Sequence, residues 1–210
     1  MKHLVIIGAG GMGRCVYCIA KEAFGYGEEF DIKGFLDDNP KSLDGFEGYP
    51  PLLSSIDDYK IEEDDVFVCS FGDTKTKLKI SRKMKDKGAV FQTIISKRAC
   101  VSQNVEIGEG CIIAEFAMVC PDVVIGAHTL ILNFAVIGHD CKIGECCRID
   151  THCTTVGGTV LEDAVTVHTS SVINHNVTVG QGAMVGACSF VIMNVKPETT
   201  VFGNPAKKIG

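Results

Sequence analysis

From Ile95 to Lys196 the sequence repeats every six residues without insertion or deletion, and this period constrains the fold more than any other feature of the chain. The first position of each hexad is aliphatic from Ile95 to Val191, Thr155 alone excepted. The fifth position is small throughout, running from Ala99 through Cys111, Ala135, Cys153 and Ser171 to Val195. One hexad is too short to bury its own apolar face. Three hexads can form the sides of a triangular coil, and coils then stack at about one strand spacing, ~4.8 Å. The first position points into the prism, and the fifth must be small because chain segments converge near the turns. The expected fold of this part is a parallel β-helix in which residues eighteen apart stand in one column.

The residues before the repeat read differently. His3–Ile7 is a short apolar run suited to a buried parallel strand. It leads into Gly8-Ala-Gly-Gly-Met-Gly13 and then a helix over Arg14–Ala23. A strand, a glycine-rich turn and a helix let the backbone approach a phosphate and aim helix N–H groups at it. The same glycines could serve only helix-to-strand packing, and a nicotinamide dehydrogenase uses a similar turn. A half-sized domain followed at once by a prism favours a nucleotide or nucleotide sugar.

A second strand, Phe30–Leu36, ends at Asp37 and Asp38, whose carboxylates could take a ribose hydroxyl or a base N–H. After a Gly- and Pro-containing loop over Asn39–Pro51, a third strand is expected at Val66–Ser70, with Gly72 and Asp73 at its end. The lysine-rich stretch Thr74–Lys87 reads as a helix with a solvated face, and Ala89–Ile94 as a fourth strand. The expected architecture is a small Rossmann-like parallel α/β domain over 1–94, then the β-helix and a short C-terminal tail over 95–210.

Composition narrows the function. The formal charge of −6 is spread over both halves and forms no basic patch, so nucleic acid is not an expected partner. The longest uncharged segment, Val123–His139, contains glycines, histidines and an asparagine and obeys the hexad rule, so no membrane span is expected. Of the eleven cysteines, Cys111, Cys141, Cys147 and Cys153 occupy the small fifth position as compact apolar fillers, and Cys15-x-x-Cys18 stands alone on a helix. A reduced, cytoplasmic chain is expected. No secretory cleavage signal is evident.

Column arithmetic turns the repeat into chemistry. His139 stands one coil from Gly157, which leaves space beside the imidazole, and Asp140 follows it at a corner. A carboxylate beside a histidine can fix its tautomer and raise its basicity, although a histidine on a prism surface can also be an ordinary turn residue. Two histidines five residues apart, the zinc-binding spacing of some hexapeptide prisms, do not occur, so no metal is expected.

The whole chain resembles the NeuD-like sugar O-acyltransferases, the sialic acid and nucleotide-amino-sugar acetyltransferases of the hexapeptide class. The resemblance is carried by Gly8–Gly13, Phe35-Leu-Asp-Asp38, Gly72-Asp73, Ala135-Val-Ile-Gly-His-Asp140 and Phe202-Gly-Asn-Pro-Ala-Lys207. It implies a left-handed coil and acetyl-CoA-dependent transfer to the amine of a UDP- or TDP-linked 4-amino-4,6-dideoxy sugar in bacterial surface glycan synthesis. It assigns the nucleotide sugar to Gly10, Gly11, Met12, Asp37, Asp38 and Gly72. It makes His139 the general base and Asp140 its activator, and gives acetyl-CoA to Arg148, Gly157, Thr169 and Ala187. It also implies a homotrimer with sites between subunits. Many relatives carry His in place of Arg148 and of Met12; arginine cannot accept a proton, so a donor role toward the thioester is expected of it. O-acetylation of sialic acid or another sugar hydroxyl, and a non-catalytic nucleotide-sugar-binding scaffold, are the competing readings.

Overall fold

The computed structural model describes residues 1–209. Its N-terminal part comprises β1 (Lys2–Ile7), α1 (Gly11–Lys21), β2 (Phe30–Leu36), β3 (Leu52–Ser54), β4 (Asp65–Cys69) and α2 (Thr74–Asp86). The strands form a parallel sheet in the order β3-β2-β1-β4. The chain reverses its direction of travel across the sheet between β1 and β4, which opens a crevice at their carboxyl ends. The glycine turn lies there. A Cβ on Gly13 would stand 2.0 Å from the Gly8 carbonyl oxygen, so α1 can begin this close to β1 only with glycine at that position. Gly10 and Gly11 have nothing within 4 Å of such a Cβ, so packing within the chain does not explain them.

Two expectations for this region are corrected. The stretch 89–94 is not a strand: it makes one bridge, Phe67 to Phe91, before Ile94 N–H bonds to the Cys111 carbonyl and draws the chain into the first coil of the prism. The remaining strand of the sheet is Leu52–Ser54, just beyond the Gly- and Pro-containing loop.

The charged face of α2 is the second correction. Lys75, Lys83 and Lys85 do reach outward, to Glu198, Asp57 and Glu109. Lys77, however, shares the buried stripe of Thr74, Ser81 and Met84. Its Nζ is enclosed without a hydrogen-bond partner, and burial lowers its pKa.

The rest of the chain is a parallel β-helix with three walls. The first wall is made of strands at 94–95, 112–113, 130–131, 148–149, 166–167 and 184–185, closed by Thr200–Phe202 and the antiparallel Lys207–Lys208. The second holds strands from Cys100–Val101 to Phe190–Val191, and the third from Glu106–Ile107 to Thr178–Val179. Partners differ by one coil, as in Val124 with Lys142 and Arg148 with Thr166. Aliphatic first positions and the cysteines at fifth positions fill the interior.

The corners have a rule that residue chemistry did not announce. Every fourth-position residue from Asn104 to Cys188 has φ between +54° and +71°, including Phe116, Phe134 and Ala164. Only Asn, Asp and Gly adopt this region readily, so the stack imposes it on the others. The hexad register also ends earlier than the sequence suggests. The last coil is shortened, and Val195 takes the inward column opposite Val179 instead of a fifth position.

The N-terminal part packs on the first wall. Ile112, Ala114 and Leu130 project from that wall into one core with Val16, Ile19, Ala20 and Ala23. Beside this seam the buried His128 ring packs edge-on against Phe91 at 4.5 Å, with its Nδ1 unpartnered. No helix among the described residues is long and apolar enough to cross a membrane.

Two stability predictions follow from this seam. Desolvation lowers the His128 pKa from 6.5 to about 4. The folded state therefore holds a neutral imidazole that the unfolded chain protonates more readily. The associated stability is complete above pH 6.5 and is lost as pH falls toward 4, by up to about 3 kcal/mol. His128→Asn, neutral and tolerant of the positive φ, should flatten the urea-denaturation stability across that interval; an unchanged pH dependence would refute the assignment. Lys77→Met should stabilise the fold by about 1–3 kcal/mol, because it removes a buried donor that has no acceptor. A loss of stability in the same urea titration would show that the amine is satisfied.

Candidate active site

His139 and Asp140 occupy the edge between the second and third walls, following the strand Val136–Ile137. His139 Nδ1 lies 2.6 Å from Asp140 Oδ2. Asp140 takes the left-handed corner conformation, φ 58°, which turns its carboxylate back to the preceding ring. With Nδ1–H donating to the carboxylate, Nε2 keeps its lone pair. A Cβ on Gly157 would meet that ring at 2.5 Å from Cε1 and 2.6 Å from Nε2, so the absent side chain is what leaves the imidazole its place. Both side chains are about two-thirds exposed in the single chain, 69% and 66%.

The other sequence-selected residues gather elsewhere. Thr169 and Ala187 lie one coil apart on the edge between the first and second walls, where the Thr169 carbonyl accepts the Cys188 N–H at 3.0 Å. Within one chain, therefore, His139 and the Thr169–Ala187 column stand on different edges. At the carboxyl ends of β1 and β4, a cavity of about 240 Å³ is lined by Gly10, Gly11, Met12, Asp37, Phe71 and Gly72. Asp37 Oδ2 accepts the Ala9 N–H at 2.7 Å and Oδ1 that of Asn39, so this carboxylate also shapes the glycine turn. Asp38 Oδ1 accepts the Ile56 N–H. A larger cavity of about 670 Å³ continues past Gly11 and Met12 to Glu115, Asn133 and Thr151 on the prism edge.

Arg148 joins the two parts. It projects from the first wall, and its Nη1 donates to the Gly72 carbonyl at 3.3 Å. Its Nε and Nη2 donate to Asp150 at 2.6 and 3.1 Å, a bidentate pair. Three of its five N–H groups are thus engaged within the chain. Sequence reading passed over Asp150 and His168. Their signal was available: residues 148 and 150 share the outward side of one strand, and 168 follows 150 by one coil.

Thiol chemistry is disfavoured in the core. Burial raises Cys69 and Cys147 to about 12, and Cys111 and Cys153 to about 11, so these sulfurs stay protonated and inert. Among the described residues no cluster of His, Cys, Asp and Glu is able to hold a metal ion.

Residues 3–84 match the family described as PglD N-terminal domain, and residues 122–157 match the bacterial transferase hexapeptide family of six repeats. A 68-residue stretch is 40% identical to a serine acetyltransferase of Buchnera aphidicola subsp. Schizaphis graminum; it covers 28% of this chain and only 26% of that protein. Solved structures match over the full length. PerB from Caulobacter crescentus, determined in complex with CoA and GDP-perosamine, has a TM-score of 0.88 at 25% identity, covering 100% of this chain and 98% of its own. The acetyltransferase domain of PglB from Neisseria gonorrhoeae FA1090 gives 0.91 at 25% identity with both chains fully covered. WeeI from Acinetobacter baumannii AYE gives 0.86 at 25% identity, also with full coverage of both. A PglD-type first part followed by a hexapeptide prism, arranged as in PerB, the PglB acetyltransferase domain and WeeI along the whole length, is thus what this chain shares with these proteins.

Proposed function

We propose that this protein transfers the acetyl group of acetyl-CoA to the amine of a nucleotide-linked amino sugar, in one direct step with His139 as general base. The observation that carries the reading is the His139–Asp140 pair at 2.6 Å beside the empty side of Gly157, on a fold whose full-length match PerB was solved with CoA and GDP-perosamine. Residues 1–94 serve as the nucleotide-sugar-binding domain and 95–210 as the acetyltransferase domain.

The nucleotide occupies the crevice beside Gly10, Gly11, Met12 and Gly72, with Asp37 and Asp38 at the β2 end taking base or ribose donors. The sugar extends from there along the larger cavity toward the prism edge. Acetyl-CoA supplies the acyl group. Its arm fits the column of small side chains through Thr169 and Ala187, and the Gly157 N–H is the donor toward charge building on the thioester oxygen. Asp140 holds the His139 proton on Nδ1, so Nε2 removes a proton as the neutral amine attacks the thioester carbon. The CoA thiol leaves, and no covalent enzyme intermediate is needed.

His139 and the Thr169–Ala187 column stand on different edges, so the complete site takes His139 from a neighbouring copy. A homotrimer satisfies this requirement with one type of contact. The second wall supports it: Met118, Phe116, Phe134 and Ile192 are exposed on or beside that wall, an apolar surface suited to burial against another prism. Eleven free thiols fit a cytoplasmic setting, where acetyl-CoA and nucleotide sugars are also made.

Thiol release from acetyl-CoA with a panel of UDP-, TDP- and GDP-linked 4-amino sugars, sialic acid and simple sugars tests the reading. Transfer to an amine is expected, with kcat/KM reduced by about two orders of magnitude or more in His139→Ala. Transfer confined to hydroxyl acceptors would establish O-acetylation instead. Equal rates for the two proteins would remove His139 from the mechanism, and absence of thiol release with every acceptor would leave the scaffold reading.

A further inference from the structure

Arg148, Asp150 and His168 form a second Asp–His pair, built by the repeat on the first wall and joined to the nucleotide cavity. Asp150 is 4% exposed. Its Oδ1 accepts Arg148 Nε, and its Oδ2 accepts both Arg148 Nη2 at 3.1 Å and His168 Nδ1 at 3.0 Å. A buried carboxylate must be paired, and the bidentate guanidinium already meets that need. The imidazole is therefore not required to neutralise Asp150. What the third bond does is fix its tautomer: Nδ1 carries the proton, and Nε2 is left as an acceptor on a ring that remains one-third exposed.

The position of this free nitrogen is set from the other side as well. Arg148 Nη1 donates to the Gly72 carbonyl, and a Cβ on Gly72 would come within 2.9 Å of the same atom. The cluster is thus anchored to the cavity that holds Gly10, Gly11 and Met12. His168 stands one coil farther along the prism than Asp150 and immediately precedes Thr169. It follows the first-wall strand Thr166–Val167, linked through Asp150 and Arg148 to the Gly72 turn on one side and adjoining on the other the column proposed for the acetyl-CoA arm.

We propose that His168 is a specificity-determining residue whose Nε2 accepts a hydrogen bond from an O–H or N–H group on the sugar ring of the acceptor, with Asp150 and Arg148 as positioning residues. This role rests on the acetyltransferase reading above. It also accounts for Arg148: the guanidinium is a strut between the prism and the Gly72 turn, and the neighbouring imidazole supplies the contact to substrate.

Steady-state kinetics of the full-length protein with the best acceptor of the panel decide the matter. His168→Ala should raise the acceptor KM about tenfold or more while the KM for acetyl-CoA stays within about twofold. Asp150→Asn should reproduce the acceptor effect, because an amide offers one acceptor oxygen in place of two and cannot serve all three donors of Arg148 and His168, so the uncharged oxygen no longer holds the imidazole in one tautomer. A thermal shift on adding CoA, retained in both variants, verifies folding, and if Asp150→Asn does not fold, His168→Ala alone decides. An unchanged acceptor KM in His168→Ala, or an effect confined to acetyl-CoA, would overturn the role of His168 and leave the acetyltransferase reading intact. Absence of turnover by the wild type with every acceptor would overturn that reading, and this role with it.

Discussion

The left-handed corner repeated at every fourth position is the constraint on which the rest of this molecule depends. Each corner turns the chain through one edge of the prism, and the inter-coil N–H to carbonyl bonds then lock residues eighteen apart into register. A positive φ costs a non-glycine residue energy, and β-carbon residues such as Phe116 and Phe134 accept it here. The cost is offset because every coil shares its backbone bonds with two others and buries an aliphatic first position. Phe116 stacks on Phe134, and Phe134 on His152, at 5.1 and 5.0 Å in the column that the corner creates.

Rigid register has a chemical consequence. It makes each outward side chain a fixed point, so pairs and triads can be specified by spacing alone. His139 and Asp140 use adjacent positions at a corner; Arg148, Asp150 and His168 use one strand and the next coil. The two arrangements do different work. The first is exposed on the edge between the second and third walls. The second is half-enclosed and tied to Gly72 of the same chain. In the proposed reaction the first takes a proton and the second holds the acceptor still while it is taken.

Docking of the α/β part onto the first wall joins these elements. Its apolar seam, from Ile112 and Leu130 to Ile19 and Ala20, sets where the glycine turn sits along the prism. Beside that seam lie the buried Lys77 and His128, polar groups with an unpartnered atom each. A close fit between a helix and a wall of fixed geometry leaves no room for them to turn outward, and burial lowers the pKa of both.

The sequence by itself determined the prism, its column spacing and the glycine turn, because an unbroken period of six and a strand–turn–helix pattern are local properties that backbone geometry converts directly into structure. It also selected His139, Asp140 and Gly157, since residues in one column are neighbours by arithmetic. It did not determine that stretch 89–94 leaves the sheet, that Val195 moves inward, or that Lys77 is buried, because in each case the partner lies far along the chain. Only the tertiary structure decided that Arg148 is held by Asp150 and Gly72, and that His168 is held through Nδ1 by the same Asp150. Those facts depend on how one face of an α/β domain meets one wall of a prism, and side-chain volume and hydrogen-bond geometry across that contact set them.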